Sequence, residues 1–239
     1  MEKHTEQYLD EHLSTIEERL QVTFHDKSLL KRAFVHRSFV NEAKDDSVSH
    51  NERLEFLGDA VLELIVTDYL FKEFPDKTEG ELSELRSRII EANACYTYVD
   101  KLDVADFLLM GRGEMANIGR GRFAIIADLF EAIIGAVYLD GGMGKAKQYF
   151  HEHFMAEMRR LIKKPTHNWK AELQDYSQKK YKTPPDYKLE KEEGPDHLKT
   201  FQVKVYVNKE HLGSGFGNSK KEAEQMAAEQ AMKKVMRNG

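Results

Sequence analysis

Apolar residues recur along most of this chain at helical spacing. Leu9, Leu13, Ile16 and Leu20 predict a first helix over 6–20. After a break around Thr23 to His25, Asp26 is placed to cap a second helix from 27 to about 39, with Leu29, Leu30, Ala33 and Phe34 turned inward. The polar run 41–50 reads as a loop. It leads into 51–71, where Leu54, Leu57, Val61, Leu64 and Ile65 form a core-facing stripe. Phe74-Pro75-Asp76 ends that segment, and Thr78 with Glu81 makes a capping box for a helix reaching Leu102, whose Leu82, Leu85, Ile89 and Ala92 face the core. The segment 124–139 is the most apolar in the chain. Asp140-Gly141-Gly142 stops it, and a further helix runs from about 144 to 162.

From Asn168 the period changes. An amphipathic helix is followed by strands at 187–190, 201–207 and 211–217, and by a final helix over 219–236. Phe201, Val203, Val205 and Val207 alternate with Gln202, Lys204 and Tyr206, as a half-buried antiparallel strand requires, and Asn208-Lys209 supplies a tight turn. Ala223, Ala227, Ala231 and Val235 line one side of the last helix. The expected architecture is multidomain: an all-α domain over 1–162, a linker at 163–168 around Pro165, and a small α+β domain over 169–239 with the order α-β-β-β-α.

Acidic residues interrupt two of the apolar helices. Glu52, Glu55, Asp59 and Glu63 lie opposite the stripe of 51–71. Glu55 and Asp59 stand about 40° apart and roughly 6 Å along the axis, so both carboxylates can address one volume. A solvated acidic face would give the same pattern, but Asp59 follows Gly58, and glycine costs up to about 1 kcal/mol in a helix interior. The second helix is less ambiguous. Asp128 and Glu131 are the only charges in 124–139, they share a face at i and i+3, and that helix holds no Lys or Arg to pair them.

If the two acidic faces meet, four carboxylates surround one pocket, a donor set suited to Mg²⁺, with Mn²⁺ as a substitute, rather than to zinc or copper. A di-iron bundle is disfavoured, because none of the ten histidines has a Glu three residues before it. Carboxylate-held Mg²⁺ serves phosphoryl chemistry, so hydrolysis of a phosphate ester is the expected reaction.

The net charge of −5 hides an asymmetry. Residues 166–239 carry 14 basic against 11 acidic side chains, and the preceding 165 residues carry 22 against 30. An acidic body with a basic tail suggests carboxylates for metal and lysines for phosphate. Lys220 and Lys221 fall in the first turn of the last helix, where cations oppose the macrodipole unless an anion binds there. The Gly111 to Arg122 stretch reads as a loop whose arginines could touch a phosphate backbone. It lacks the phosphate-loop spacing, so no nucleotide cofactor is expected. Glu79 reads locally as a favourable first-turn acid, and His36 as a hydrogen-bonded structural group. The single cysteine, Cys95, fits a reducing compartment, and neither a signal peptide nor a membrane span is evident, so a cytoplasmic protein without a membrane partner is expected.

The segment Asn51-Glu52-Arg53-Leu54-Glu55-Phe56-Leu57-Gly58-Asp59-Ala60 resembles the signature of the bacterial ribonuclease III family, and Ala127-Asp128-Leu129-Phe130-Glu131-Ala132 its second acidic motif. The C-terminal part resembles a double-stranded-RNA-binding domain, through Leu173-Gln174-Asp175, Gly194-Pro195-Asp196-His197 and Ser219-Lys220-Lys221-Glu222-Ala223-Glu224. The resemblance implies an endoribonuclease that cuts double-stranded RNA with Mg²⁺, leaving 5′-phosphate and 3′-hydroxyl ends with a short 3′ overhang, and that processes ribosomal RNA precursors and other structured RNAs. It assigns Glu55, Asp59, Asp128 and Glu131 to the metal cluster, Asp59 and Glu131 most directly to catalysis, and Glu52 and Glu79 to support. It further implies a homodimer with Phe56 at the interface, and RNA contacts by Gln174, Gln178, His197, Lys220 and Lys221. Ala171 and Asp175 depart from the common pattern of the RNA-binding domain. A non-cleaving double-stranded-RNA-binding regulator, or a small-molecule phosphohydrolase, would be the alternatives.

Overall fold

The computed structural model describes residues 5–43, 49–116, 120–163, 168–193, 199–217 and 219–238. The chain forms two compact units, Met1–Lys164 and Pro165–Gly239.

In the first unit, α1 (Glu6–Leu20) starts where Thr5 accepts from the Tyr8 amide at 3.1 Å, and α2 (Lys27–Ala33) starts where Asp26 accepts from Ser28. The single helix expected to reach Phe39 is broken. Phe34 and Val35 are fully buried, and their backbone turns sideways: Leu109 N donates to Phe34 O, and His36 N donates to Leu109 O, both at 2.9 Å. That lateral bridge ends α2, and α3 (Arg37–Ala43) follows as a separate short helix.

Next come α4 (Glu52–Glu73), α5 (Glu79–Ile90) and α6 (Ala92–Leu102). The capping box of Thr78 and Glu81 is present at the start of α5. The continuous helix expected through Leu102 is interrupted at Glu91, whose backbone is extended. Side chains of α6 satisfy the carbonyls this exposes: Tyr98 OH donates to Ile89 O at 3.0 Å and Cys95 Sγ to Ile90 O at 3.4 Å. The interruption also rotates the phase, so Ala92, expected inside, is exposed.

The stretch expected to be a loop before the second acidic helix instead contains α7 (Arg112–Ala116), and α8 (Arg120–Lys163) begins at Arg120. The expected glycine stop is a kink within α8 at Gly142, whose φ of 74° favours glycine. The Asp140 carboxylate fixes that kink to the α1–α2 turn by accepting from the amides of His25 at 2.8 Å and Asp26 at 2.9 Å, and from Lys145 Nζ at 2.6 Å. Tyr98, Phe130 and Phe154 cluster between α6 and α8, with ring centroids 4.8–5.0 Å apart. Among the described residues, no helix is long and apolar enough to cross a membrane.

The second unit contains α9 (Trp169–Tyr181), β1 (Asp186–Glu193), β2 (Thr200–Val207), β3 (Glu210–Gly217) and α10 (Lys220–Asn238), in the expected α-β-β-β-α order. The antiparallel sheet runs β1-β2-β3. Asn208 and Lys209 both have positive φ, the geometry of a two-residue turn that matches strand twist. Val203, Val205 and Val207 bury one sheet face together with Ala223, Ala227 and Ala231 of α10.

Candidate active site

The site is built on the crossing of α4 and α8. α4 is anchored at its start by Asn51, which is buried and donates its amide to Val35 O at 2.9 Å and its Nδ2 to Ala33 O at 3.3 Å. Its buried face runs through Leu54, Gly58, Val61, Leu62, Ile65 and Val66. Leu64, expected inside, is 55% exposed. The face is displaced because α8 presses against Gly58: the Glu131 carbonyl occupies the space a side chain there would need. Gly135 of α8 likewise faces the Leu54 carbonyl. Gly58, counted on sequence grounds as a sign of function through its helical cost, therefore has a packing cause. Gly135 is a site-building residue that the sequence reading missed. Its signal was a glycine inside the most apolar helix of the chain.

This close crossing sets the acidic faces of the two helices together. Burial pushes the Glu55 carboxyl up to about 7, and the charges of Asp128, Glu52 and Asp59 add to the rise. Glu131 is pushed up to about 8, first by burial and then by Asp59, Asp128 and Glu55. Burial alone raises Asp128. Under the cluster, the buried Cys95 thiol is raised by desolvation first and then by Glu131, Asp128 and Asp59. Glu55 and Glu131 thus both feel the charges of Asp59 and Asp128, and none of the four has an ion-pair partner among the described residues. Glu55, Asp128 and Glu131 are partly withdrawn from water without a counter-charge, and together with the exposed Asp59 they make an all-oxygen donor set suited to a cation. The side chains do not form a closed cage: among the described residues no three acidic, histidine or cysteine groups are gathered tightly enough to hold a metal ion as they stand. The donor chemistry fits a hard divalent cation that keeps part of its water.

The other expected site residues separate. Glu52 is paired, with Arg37 Nη1 2.7 Å from its Oε1 and His50 Nδ1 3.7 Å from its Oε2. Glu79 is not among the charges that raise the four carboxyls. It accepts from Ser83 Oγ at 2.8 Å and lines a cavity of about 370 Å³ with Thr67, Phe71, Lys77 and Arg86. Glu63, expected to be a surface charge, pairs with Arg86 at 3.3 Å. His36 is hydrogen-bonded to Ser38 Oγ at 2.7 Å, and burial lowers its pKa. Phe56 is 81% exposed on α4, and Ala60, Leu64 and Phe71 are exposed along the same helical face.

In the second unit, Gln174 and Gln178 are exposed one turn apart on α9. Lys220 and Lys221 are exposed in the first turn of α10, after Ser219, whose Oγ accepts from the Glu222 amide at 3.1 Å. Neither lysine has an ion-pair partner among the described residues. His197 lies outside the described residues. Ala171 and Asp175, the departures noted above, are both exposed, and the Ala171 amide is capped by Asn168 Oδ1 at 3.1 Å.

Comparison with known proteins covers both units. Residues 26–158 match the model of a ribonuclease-III-like family, and residues 169–235 match a double-stranded RNA binding motif. The chain is 51% identical over 220 residues to a Ribonuclease 3 of Protochlamydia amoebophila, covering 92% of this chain and 90% of that one. It is 42% identical over 228 residues to a Ribonuclease 3 of Enterococcus faecalis, covering 95% and 99%. Among solved structures, a Campylobacter jejuni ribonuclease III nuclease domain, described as flexible in a region involved in dimer formation, superposes with a TM-score of 0.53 at 39% identity, over 59% of this chain and 98% of that one. A second structure of that nuclease domain gives 0.54 at 37% identity, over 64% and 97%.

Proposed function

The chain belongs to the ribonuclease III family and is an endoribonuclease acting on double-stranded RNA; on that premise we propose that it cuts by Mg²⁺-dependent phosphodiester hydrolysis, leaving 5′-phosphate and 3′-hydroxyl ends. The observation that carries this reading is the pair of raised, unpartnered carboxyls, Glu55 and Glu131, on helices held together at Gly58 and Gly135. Glu55, Asp59, Asp128 and Glu131 would hold the cation, and Mn²⁺ offers the same octahedral oxygen chemistry. A bound Mg²⁺ supplies neutralisation of the phosphate oxygens and a more acidic water.

Asp59 and Glu131 are the acids we assign most directly to the cut, with Glu52 and Glu79 in support. Asp59 is the more exposed of the two. Glu131 is partly withdrawn from water. The second unit brings the substrate. Gln174 and Gln178 on one helix face, His197, and Lys220 with Lys221 make up three contact regions that read the A-form backbone and 2′-hydroxyls rather than base sequence.

We assign 1–162 to the catalytic part, 163–168 to the linker and 169–239 to the RNA-binding part, a division supported by family matches over 26–158 and 169–235 and by two compact units that divide at Lys164 and Pro165. The exposed apolar stripe of Phe56, Ala60, Leu64 and Phe71 supports a homodimer, each subunit cutting one strand to leave a short 3′ overhang. Ribosomal RNA precursors and other structured RNAs, met in the cytoplasm, are the proposed substrates. The test is cleavage of a long duplex RNA by purified protein with Mg²⁺. Cutting stops with chelator, and Glu131→Ala abolishes cutting while leaving duplex binding intact. An Ala variant that cuts at the wild-type rate would refute the site.

A further inference from the structure

Of the three acids nearest the start of α4, Glu52, Glu55 and Asp59, only Glu52 has an ion-pair partner from another element among the described residues. Arg37, which supplies it, opens α3, and His50 closes the segment before Asn51, its carbonyl accepting from Arg32 Nε at 3.0 Å. α3 is itself fastened on its far side. Ser38 Oγ accepts from the Gly111 amide at 2.9 Å, and the Glu42 carboxylate accepts from the amides of Arg112 at 2.9 Å and Gly113 at 3.3 Å. The guanidinium that holds Glu52 is therefore carried on a braced support.

Glu52 lies one turn ahead of Glu55, so the two side chains are neighbours on the helix surface, and the Glu52 charge is among those that Glu55 feels. Released from Arg37, the Glu52 carboxylate could swing toward the volume that Glu55 and Asp59 address. Mg²⁺ working on a phosphate is octahedral and must keep positions open for water and a phosphate oxygen. One more carboxylate would bind it more tightly while occupying a position that water or a phosphate oxygen needs.

We propose that Arg37 is a positioning residue of the acid cluster: its ion pair keeps Glu52 on the α3 side and outside the inner shell of the cation, leaving Glu55, Asp59, Asp128 and Glu131 as the ligands. This rests on the metal-site reading above. The consequence has an unusual sign, since loss of a side chain tightens ion binding and slows the reaction together. A side chain that only supports the fold would weaken both.

Calorimetric titration of the full chain with Mn²⁺, without RNA, tests it. Arg37→Ala binds the ion roughly three- to tenfold more tightly than wild type, the size expected when a unit charge near a divalent ion loses its counter-charge in a hydrated site. Its cleavage at saturating ion is slower, and Arg37→Lys restores both properties most of the way. In a Glu52→Gln background, Arg37→Ala leaves ion affinity unchanged. Unchanged or weaker binding by Arg37→Ala overturns the positioning role, as does equal tightening in both backgrounds, which would be a field effect of Arg37 alone. A wild type that binds no divalent ion refutes the metal reading itself, and the positioning role with it. Arg37 is largely exposed, and thermal unfolding in chelator confirms that each variant is folded before it is titrated.

Discussion

Gly58 and Gly135 meet backbone to backbone where α4 crosses α8, and neither has room for a side chain. A methyl group on Gly58 would overlap the Glu131 carbonyl and lie 2.9 Å from the Gly135 nitrogen; one on Gly135 would lie 3.2 Å from the Gly58 nitrogen. Two glycines thus determine how closely the helix carrying Glu55 and Asp59 approaches the helix carrying Asp128 and Glu131.

Gly58→Ala should therefore be costly although Ala is the better helix former. We expect a loss of about 1–3 kcal/mol in urea unfolding, the usual cost of overpacking a tight core, together with a fall in cleavage larger than the loss of folded protein explains. Gly80→Ala is the control. A methyl group there meets nothing within 4 Å, and stability should change by less than about 1 kcal/mol.

The raised carboxyls give a pH dependence of definite sign. Glu55 and Glu131 hold their protons up to about 7 and about 8 in the folded chain, against an ordinary 4.5. Between those values the folded state binds more protons than the unfolded one, so their contribution to stability is full below pH 4.5 and declines as pH rises to about 8. Glu131→Gln should accordingly raise the melting temperature of the ion-free protein at pH 8, leave it nearly unchanged at pH 4.5, and reduce the stabilisation that Mg²⁺ gives the wild type. A variant that melts lower than wild type at pH 8 without ion would contradict the site electrostatics.

Exposed apolar side chains on α4 should be covered in solution by a second copy. Phe56→Ser combined with Leu64→Asp is expected to turn a dimer into a monomer by light scattering while preserving helical circular dichroism. Both side chains are more than half exposed, so the monomer unit should lose little of its own core. A wild-type chain that is monomeric at micromolar concentration would count against the stripe as an interface.

Lys220 and Lys221 should act through phosphate. Replacing both with Ala is expected to weaken duplex-RNA binding regardless of sequence and to reduce the slope of log affinity against log salt by about 2. Cleavage at saturating RNA should stay near wild type. An unchanged salt slope would remove these lysines from the interface.

Both acidic pairs were legible in the sequence, because a charge inside an apolar helix stands out against its neighbours. The α-β-β-β-α unit was legible too, through the period-2 run at Phe201 to Val207. What escaped was decided by contacts distant in sequence. The end of α2 depends on Leu109 bonding to Phe34 and His36, and no Gly or Pro marks it. The break at Glu91 has no local breaker either; Tyr98 and Cys95 satisfy it from the next helix. A helical wheel puts Leu64 inside because it treats all apolar residues alike, whereas the true contact is centred on Gly58, which has no side chain to count. Arg37 carries no local signal, because its partner Glu52 lies 15 residues away in sequence.

The joint at Glu91 links two helices to one opening event. The last carbonyls of α5 are held by Tyr98 and Cys95, and Tyr98 is also packed between Phe130 and Phe154 of α8. Fraying the end of α5 therefore exposes acceptors whose donors are locked in the aromatic cluster, and freeing those donors unpacks α6 from α8. Amide hydrogens on both sides of the joint should exchange with solvent as one cooperative unit, at the rate of the nuclease unit's core rather than of a helix end.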